Sequence, residues 1–197
     1  MNYPRLLAVP ALMLATSPAF AHVDPEAHGS FAAGFTHPVF GLDHVLAMIA
    51  VGLWAALLGG RAIWGLPTAF VGSMVIGFVL SLTGLHIPFV EPVILASVVA
   101  LGALVAIAAR FSLPLSMALV GIFGFFHGHA HGGEIGGAGE FGYAAGFISA
   151  TALLHAAGVL IGYGAKVGLG PETRRGEIAT RFLGGVTALC GLALMAG

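Results

Sequence analysis

The sequence predicts an all-α integral membrane protein. Three observations support this fold class: the composition, a series of lipid-length apolar stretches, and the placement of the basic residues. Hydrophobic residues make up 58% of the 197 residues and charged residues only 8%, and the mean hydropathy is +1.02. Soluble domains have about 25% charged residues, and their helices have polar faces. The apolar stretches of this sequence have almost no polar face. The length suits one membrane domain.

The N-terminal residues 1–21 have the pattern of a secretory signal peptide. Arg5 provides a positive start, residues 6–15 are apolar, and Ala19-Phe20-Ala21 is a small-x-small cleavage site. We expect cleavage after Ala21, which leaves residues 22–197 as a single six-helix transmembrane domain. An uncleaved membrane anchor is the alternative, but the apolar stretch is short for a bilayer span.

Six further apolar stretches each approach the roughly 20 residues that a helix needs to cross a bilayer. The connections between them are short, apart from a polar stretch before the last one. The predicted spans lie near residues 38–58, 63–84, 91–109, 113–133, 141–164 and 178–196.

The basic residues predict the orientation of these spans, because cytoplasmic loops hold the excess of Lys and Arg. If the mature N-terminus is periplasmic, Arg61 falls in the first cytoplasmic loop and Arg110 in the second. The third cytoplasmic loop and the start of the last span then hold Lys166, Arg174, Arg175 and Arg181. We therefore predict a multi-pass protein of the bacterial inner membrane with both mature termini in the periplasm.

Ionisable and thioether side chains inside the apolar segments are the candidate functional residues. The primary metal-ligand candidates are His37, Asp43, His44, Met48, His127, His131 and Glu134. Ionisable groups are costly in hydrocarbon, so a collection of them there indicates a pathway or a site. Imidazole, carboxylate and thioether groups together suit a late first-row transition metal such as nickel or cobalt. Several such sites in series suit conduction, so the residues predict a metal-ion permease.

Helical spacing arranges these candidates in pairs. His44 and Met48 are four residues apart and share a helix face, as do His127 and His131. At a rise of about 1.5 Å per residue, His44 and His127 lie about 9 Å below the same periplasmic surface. We expect two facing ligand pairs, with a neighbouring carboxylate adding negative charge.

Some individual roles stay open at this point. Asp43 either touches the metal or orients His44 as a hydrogen-bond acceptor. A lone methionine is more often a packing residue, but the spacing of Met48 from His44 makes it a ligand candidate. The secondary candidates are His22, His129 and His155. His155 is a metal ligand, a proton carrier or a partner in an interhelical hydrogen bond. The glycine-dense run of residues 127–137 is expected to bend or open its helix.

Several other classes are disfavoured. The net charge of −1 offers no basic patch for a nucleic-acid partner, and the sequence has no phosphate-binding loop for ATP hydrolysis. The lone Cys190 rules out an internal disulfide framework. We expect no enzymatic activity and no permanently bound cofactor. The expected partners are a divalent metal ion and the lipid bilayer, and a homo-oligomer remains open.

Two motifs carry a resemblance to a known family. The run from His37 to Met48, HPVFGLDHVLAM, resembles the HPxxGxDHxxxM signature of the HupE/UreJ family of hydrogenase and urease accessory membrane proteins. The run FHGHAHGGE, from Phe126 to Glu134, is similar to that family as well, and the resemblance covers essentially the whole chain. It implies a secondary nickel permease, or a cobalt permease in some members, that supplies metal to nickel enzymes such as hydrogenase or urease.

Three alternatives to a nickel permease remain at this point. In the first alternative the transported ion is Co²⁺ or another divalent metal, because ligand type alone does not distinguish nickel from cobalt, zinc or copper. A membrane metal-binding accessory protein or sensor would use the same ligands without transport. A membrane enzyme or electron carrier would use histidines as haem ligands, although the carboxylates beside them argue against haem.

Overall fold

The structure, a computed structural model, describes residues 30–132, 139–170 and 174–197. Within these ranges the chain is helical, without strands. The helices are α1 (Phe31–Phe40), α2 (Leu42–Leu58), α3 (Ala62–Leu82), α4 (Val90–Ala106), α5 (Leu113–Gly132), α6 (Glu140–Gly168) and α7 (Arg175–Ala196). The predicted all-α class is confirmed. The predicted signal peptide, His22 and Glu134 lie outside the described residues.

Four helices, α3, α5, α6 and α7, are long and apolar enough to cross a membrane. The pair α1 and α2 makes a fifth candidate if it is counted as one broken span. Helix α4 has 17 residues, so at about 1.5 Å per residue it is only about 25 Å long. The chain is thus a helical protein with several candidate membrane spans, and the number six remains a prediction.

The first predicted span is not one helix. Helices α1 and α2 meet at an angle of 80°, so the prediction of a single span over residues 38–58 is wrong at its start. Helix α1 ends where the Gly41 N–H donates to the His37 carbonyl at 3.0 Å, and Gly41 takes an extended conformation. A Cβ at Gly41 would lie 3.0 Å from His44 Nδ1 and 3.1 Å from Asp43 Oδ1. Glycine, a poor helix former, therefore breaks the span and leaves space for the side chains that follow it.

Helices α3 and α5 pack backbone against backbone through glycines spaced four residues apart. In α5 these are Gly124, Gly128 and Gly132, which face the carbonyls of Phe70, Met74 and Phe78 in α3. A Cβ added at Gly128 would overlap the Met74 carbonyl oxygen. Small residues permit this close approach in lipid, where packing rather than the hydrophobic effect joins helices. Helix α5 continues unbroken to Gly132, so the expected opening of the glycine-dense run does not occur over residues 127–132.

Helix α6 joins the two halves of the broken span in the same way. Gly158 of α6 faces the Ile49 carbonyl of α2, and Gly52 of α2 faces the His155 carbonyl of α6. Nearer the start of α6, Gly146 faces the Phe31 carbonyl of α1. Helices α1, α2, α3, α5 and α6 consequently surround one interior, while α4 packs mainly against α7.

Replacement of Gly128 by alanine is expected to destabilise the protein by about 1–3 kcal/mol, because the new methyl group forces α3 and α5 apart. Reversible unfolding in mixed detergent micelles measures this change. Gly72→Ala is the matched control, since a Cβ at Gly72 of α3 meets no atom within 4 Å. Equal stability of the two variants would contradict the packing described here.

Candidate metal centre

Three histidines from three helices converge in the interior. His37 of α1, His44 of α2 and His131 of α5 each offer one ring nitrogen, and these atoms lie within 4.8 Å of one another. The rings of His37 and His131 have centroids 4.2 Å apart, and those of His44 and His131 are 4.9 Å apart. His44 and His131 are each only 4% exposed, whereas His37 keeps accessible surface. The three residues, named here the histidine cluster, are therefore open on the side of α1.

The break at Gly41 positions the first ligand. His37 lies in the last turn of α1, and the 80° bend folds this turn over the start of α2. The His37 ring thereby contacts the His44 ring at a centroid distance of 5.3 Å, although the two residues belong to different helices. A straight helix would place residues seven positions apart about 10 Å from each other along its axis.

The closest contact in the cluster joins two imidazole nitrogens. His44 Nε2 lies 2.7 Å from His131 Nε2, so one nitrogen donates a hydrogen and the other accepts it. Imidazole nitrogens bind zinc-like divalent metals at about 2.0–2.1 Å, which places two nitrogens on one ion roughly 3 Å apart. A metal ion can thus take the place of this hydrogen after a small separation of the two rings, with the donor ring then carrying its proton on Nδ1.

Asp43 lies beside His44 and favours one of its tautomers. Asp43 Oδ1 is 2.9 Å from His44 Nδ1, a close electrostatic contact whose angle is poor for a hydrogen bond. A carboxylate next to Nδ1 favours a proton on that nitrogen, so the Nε2 lone pair faces the cluster. This geometry favours the orienting role over direct coordination for Asp43, whose side chain approaches the far side of the ring.

His127 lies one helical turn deeper in α5 and borders the cluster. Its ring centroid is 5.2 Å from that of His44. Its Nδ1 donates to the Phe123 carbonyl at 2.8 Å, because a carbonyl oxygen only accepts, and its Nε2 therefore carries a lone pair. That Nε2 is buried and has no hydrogen-bond partner among the described residues. His127 thus presents an unused ligand atom beneath the cluster.

Phenylalanine rings form the apolar walls of the site. The Phe147 ring of α6 contacts His131 at a centroid distance of 5.1 Å and His44 at 6.2 Å. The Phe70 ring of α3 contacts His127 at 5.2 Å. Both phenylalanines are almost fully buried. These walls restrict water, and a restricted site strengthens the interaction of a cation with its ligands.

The remaining sequence candidates lie in different surroundings. Met48 is fully buried in the apolar core around α2. His129 is on another face of α5, where its Nε2 donates to the Leu85 carbonyl at 2.8 Å. His155 is buried deeper, against the Phe70 ring at a centroid distance of 5.0 Å. As expected, His44 of α2 faces both His127 and His131 of α5, and α1 adds a third imidazole to the cluster that the expected pairs did not include.

The sequence reasoning did not single out Phe70 and Phe147. Both are apolar residues in apolar helices, and the chain contains 14 phenylalanines, so their type gives no signal. Phe70 lies four residues before Met74, and Phe147 lies eight residues before His155. These spacings identify histidine-facing surfaces only when it is known which helices pack together.

The bundle and its interior cluster define the class of the chain: a helical membrane protein with an imidazole-rich site enclosed between its helices. A family model described as HupE / UreJ protein matches residues 10–194. Protein HupE of Rhizobium leguminosarum bv. viciae is 45% identical over 135 residues, which cover 68% of this chain and 70% of that protein. The chain belongs to the HupE/UreJ family, as the two motifs predicted. No solved structure matches it.

His131→Ala is expected to raise the dissociation constant for Ni²⁺ by about tenfold or more, because it removes one imidazole of the cluster. Isothermal titration calorimetry of the detergent-solubilised chain measures the constant. His129→Ala is the matched control on the same helix, since its ring points to the Leu85 carbonyl. Equal losses of affinity in the two variants would show that the cluster is not the binding site.

Proposed function

We propose that the chain is a secondary permease that carries Ni²⁺ across the bacterial inner membrane. The observation that carries the proposal is the convergence of the His37, His44 and His131 ring nitrogens within 4.8 Å inside a helical membrane protein. An ionisable cluster at such a place indicates a substrate pathway. The donor set is all imidazole, which suits nickel, cobalt, zinc and copper alike. Co²⁺ is therefore the alternative cargo.

In this proposal the ion enters from the side of His37. The partly exposed His37 ring receives it, and His44 and His131 complete the coordination once the ring that donates the hydrogen in their contact carries its proton on Nδ1 instead. Metal binding to imidazole requires the neutral form with a free lone pair, so loading releases a proton from any ring that is an imidazolium beforehand. Both facilitated diffusion and proton coupling are compatible with this step. The cluster lacks cysteine, and weaker ligands permit the release that conduction needs.

The proposed orientation follows from the charged residues. Arg61 follows α2, Arg110 lies between α4 and α5, and both are exposed. If α4 is a span, these loops share one side of the membrane with the α6–α7 connection, and the positive-inside rule assigns that side to the cytoplasm. The histidine cluster then lies towards the periplasm. Supply of nickel enzymes such as hydrogenase or urease is the proposed physiological role.

A second candidate function is metal binding without transport. The observation that favours it is the buried Phe70 ring, which packs against His127 at a centroid distance of 5.2 Å and offers no ligand atom there. An accessory or sensor protein would hold an ion at the cluster and pass it no further.

Ion entry into sealed proteoliposomes separates the two functions. The wild-type chain is expected to admit Ni²⁺ saturably, and His44→Ala is expected to abolish entry because it removes the central ligand. His86→Ala, a histidine on the exposed α3–α4 loop, is the control for loss of an imidazole elsewhere. Tight binding without entry by the wild-type chain would instead assign the accessory or sensor function.

Met48→Leu tests whether the thioether contributes to metal choice. Met48 lies in the apolar core, and leucine conserves its volume, so the fold is expected to persist at a cost below about 1.5 kcal/mol. We expect a small loss of Ni²⁺ entry and a shift in competition by Co²⁺ and Zn²⁺. An unchanged competition profile would remove Met48 from the ligands.

A further inference from the structure

His155 has a buried imidazole that the histidine cluster does not use. The residue is 1% exposed and lies in the middle of α6. Neither its Nδ1 nor its Nε2 has a hydrogen-bond partner among the described residues. Leaving a buried polar group without a partner costs about 1–3 kcal/mol, so each such group in a folded protein needs a reason. A leucine at this position would avoid that cost.

One aromatic ring contacts both His155 and a histidine that borders the cluster. The Phe70 ring contacts His127 at a centroid distance of 5.2 Å and His155 at 5.0 Å. It is fully buried, and its backbone carbonyl is held against Gly124 of α5. The ring planes of Phe70 and His155 are nearly perpendicular, at 83°. Phe70 therefore contacts two imidazoles that have nitrogens without a hydrogen-bond partner among the described residues: His127 through its Nε2, and His155 through both of its nitrogens.

We propose that His155 is an inner metal ligand and that Phe70 is the partition between it and the histidine cluster. The cargo ion passes from His127 to His155 when the Phe70 side chain changes rotamer. This inference rests on the proposed permease function and extends it to a second site, which takes a divalent cation that prefers nitrogen ligands.

The surroundings of His155 offer further donors one helical turn away. Thr151 lies four residues before His155 on the same face of α6, and its hydroxyl contacts Met74 Sδ at 3.7 Å. Met74 lies four residues after Phe70 on α3. The inner ligand thus has a hydroxyl and a thioether within about one turn, although imidazole is the strongest donor of the three. A site with one strong ligand binds weakly, as release towards the other side requires.

A cobalt–thiolate bond reports whether an ion reaches this position. In the full chain with Cys190→Ala, His155→Cys places a thiol at the inner position, and added Co²⁺ is expected to produce an ultraviolet thiolate-to-cobalt charge-transfer band. Thr187→Cys, at a buried position of α7, is the control and is expected to give no band. If His155→Cys gives no band while calorimetry shows Co²⁺ bound at the histidine cluster, the inner site is overturned.

The rate at which the band appears tests the partition. Phe70→Ala, combined with His155→Cys, is expected to accelerate the band severalfold because the ring no longer lies between the two compartments. Phe78→Ala is the matched control, since Phe78 is a buried phenylalanine two turns along α3. Equal rates with and without the Phe70 ring would overturn its role as the partition.

A transport measurement covers the case in which the thiol variant does not fold. His155→Ala is expected to reduce Ni²⁺ entry into proteoliposomes by about tenfold or more. Its dissociation constant for Ni²⁺ should stay unchanged, because the histidine cluster is intact. A merely structural role for His155 would change affinity and thermal stability together with entry.

Normal entry by His155→Ala would overturn the inner site while leaving the permease function intact. No entry by the wild-type chain would overturn the permease function, and the cobalt band would still decide whether His155 binds metal.

Discussion

Close approach of helix backbones through glycine is the constraint on which the rest of the structure depends. In lipid, apolar side chains gain little from burial against each other, so helices are joined by packing and by short interhelical contacts. Gly128 of α5 lies against the Met74 carbonyl of α3, and Gly158 of α6 lies against the Ile49 carbonyl of α2. These contacts bring the histidine-bearing faces of α2, α5 and α6 into one narrow interior, where imidazoles from different helices touch.

The second constraint is the break at Gly41, which converts an ordinary span into two short helices at 80°. Irregular backbone within a membrane is tolerated where it lies against protein or a polar cavity. Here the break carries His37 back over His44 and leaves space for Asp43 beside the His44 ring. The site therefore consists of one imidazole from each of three helices, with a carboxylate beside the central imidazole.

The sequence was sufficient to predict the helical class and the family, because composition, apolar length and motif spacing are local properties. It also named His37, His44 and His131, which the structure brings together, among its candidate ligands. It did not predict that α1 and α2 are separate helices, since a glycine within an apolar run is equally compatible with a continuous span. Nor did it predict that His37 joins His131 or that Phe70 divides His127 from His155. Those contacts depend on which helices pair, and residues 57 to 94 positions apart carry no local signal of that pairing.

The central claim is that three imidazoles from α1, α2 and α5 hold the cargo ion together. X-ray absorption at the nickel edge of the loaded full-length chain tests it most directly, because imidazole rings give characteristic multiple scattering. The account predicts scattering from about three imidazoles, with nitrogen ligands at about 2.0–2.1 Å. A spectrum dominated by sulfur, or one with only oxygen ligands, would contradict it.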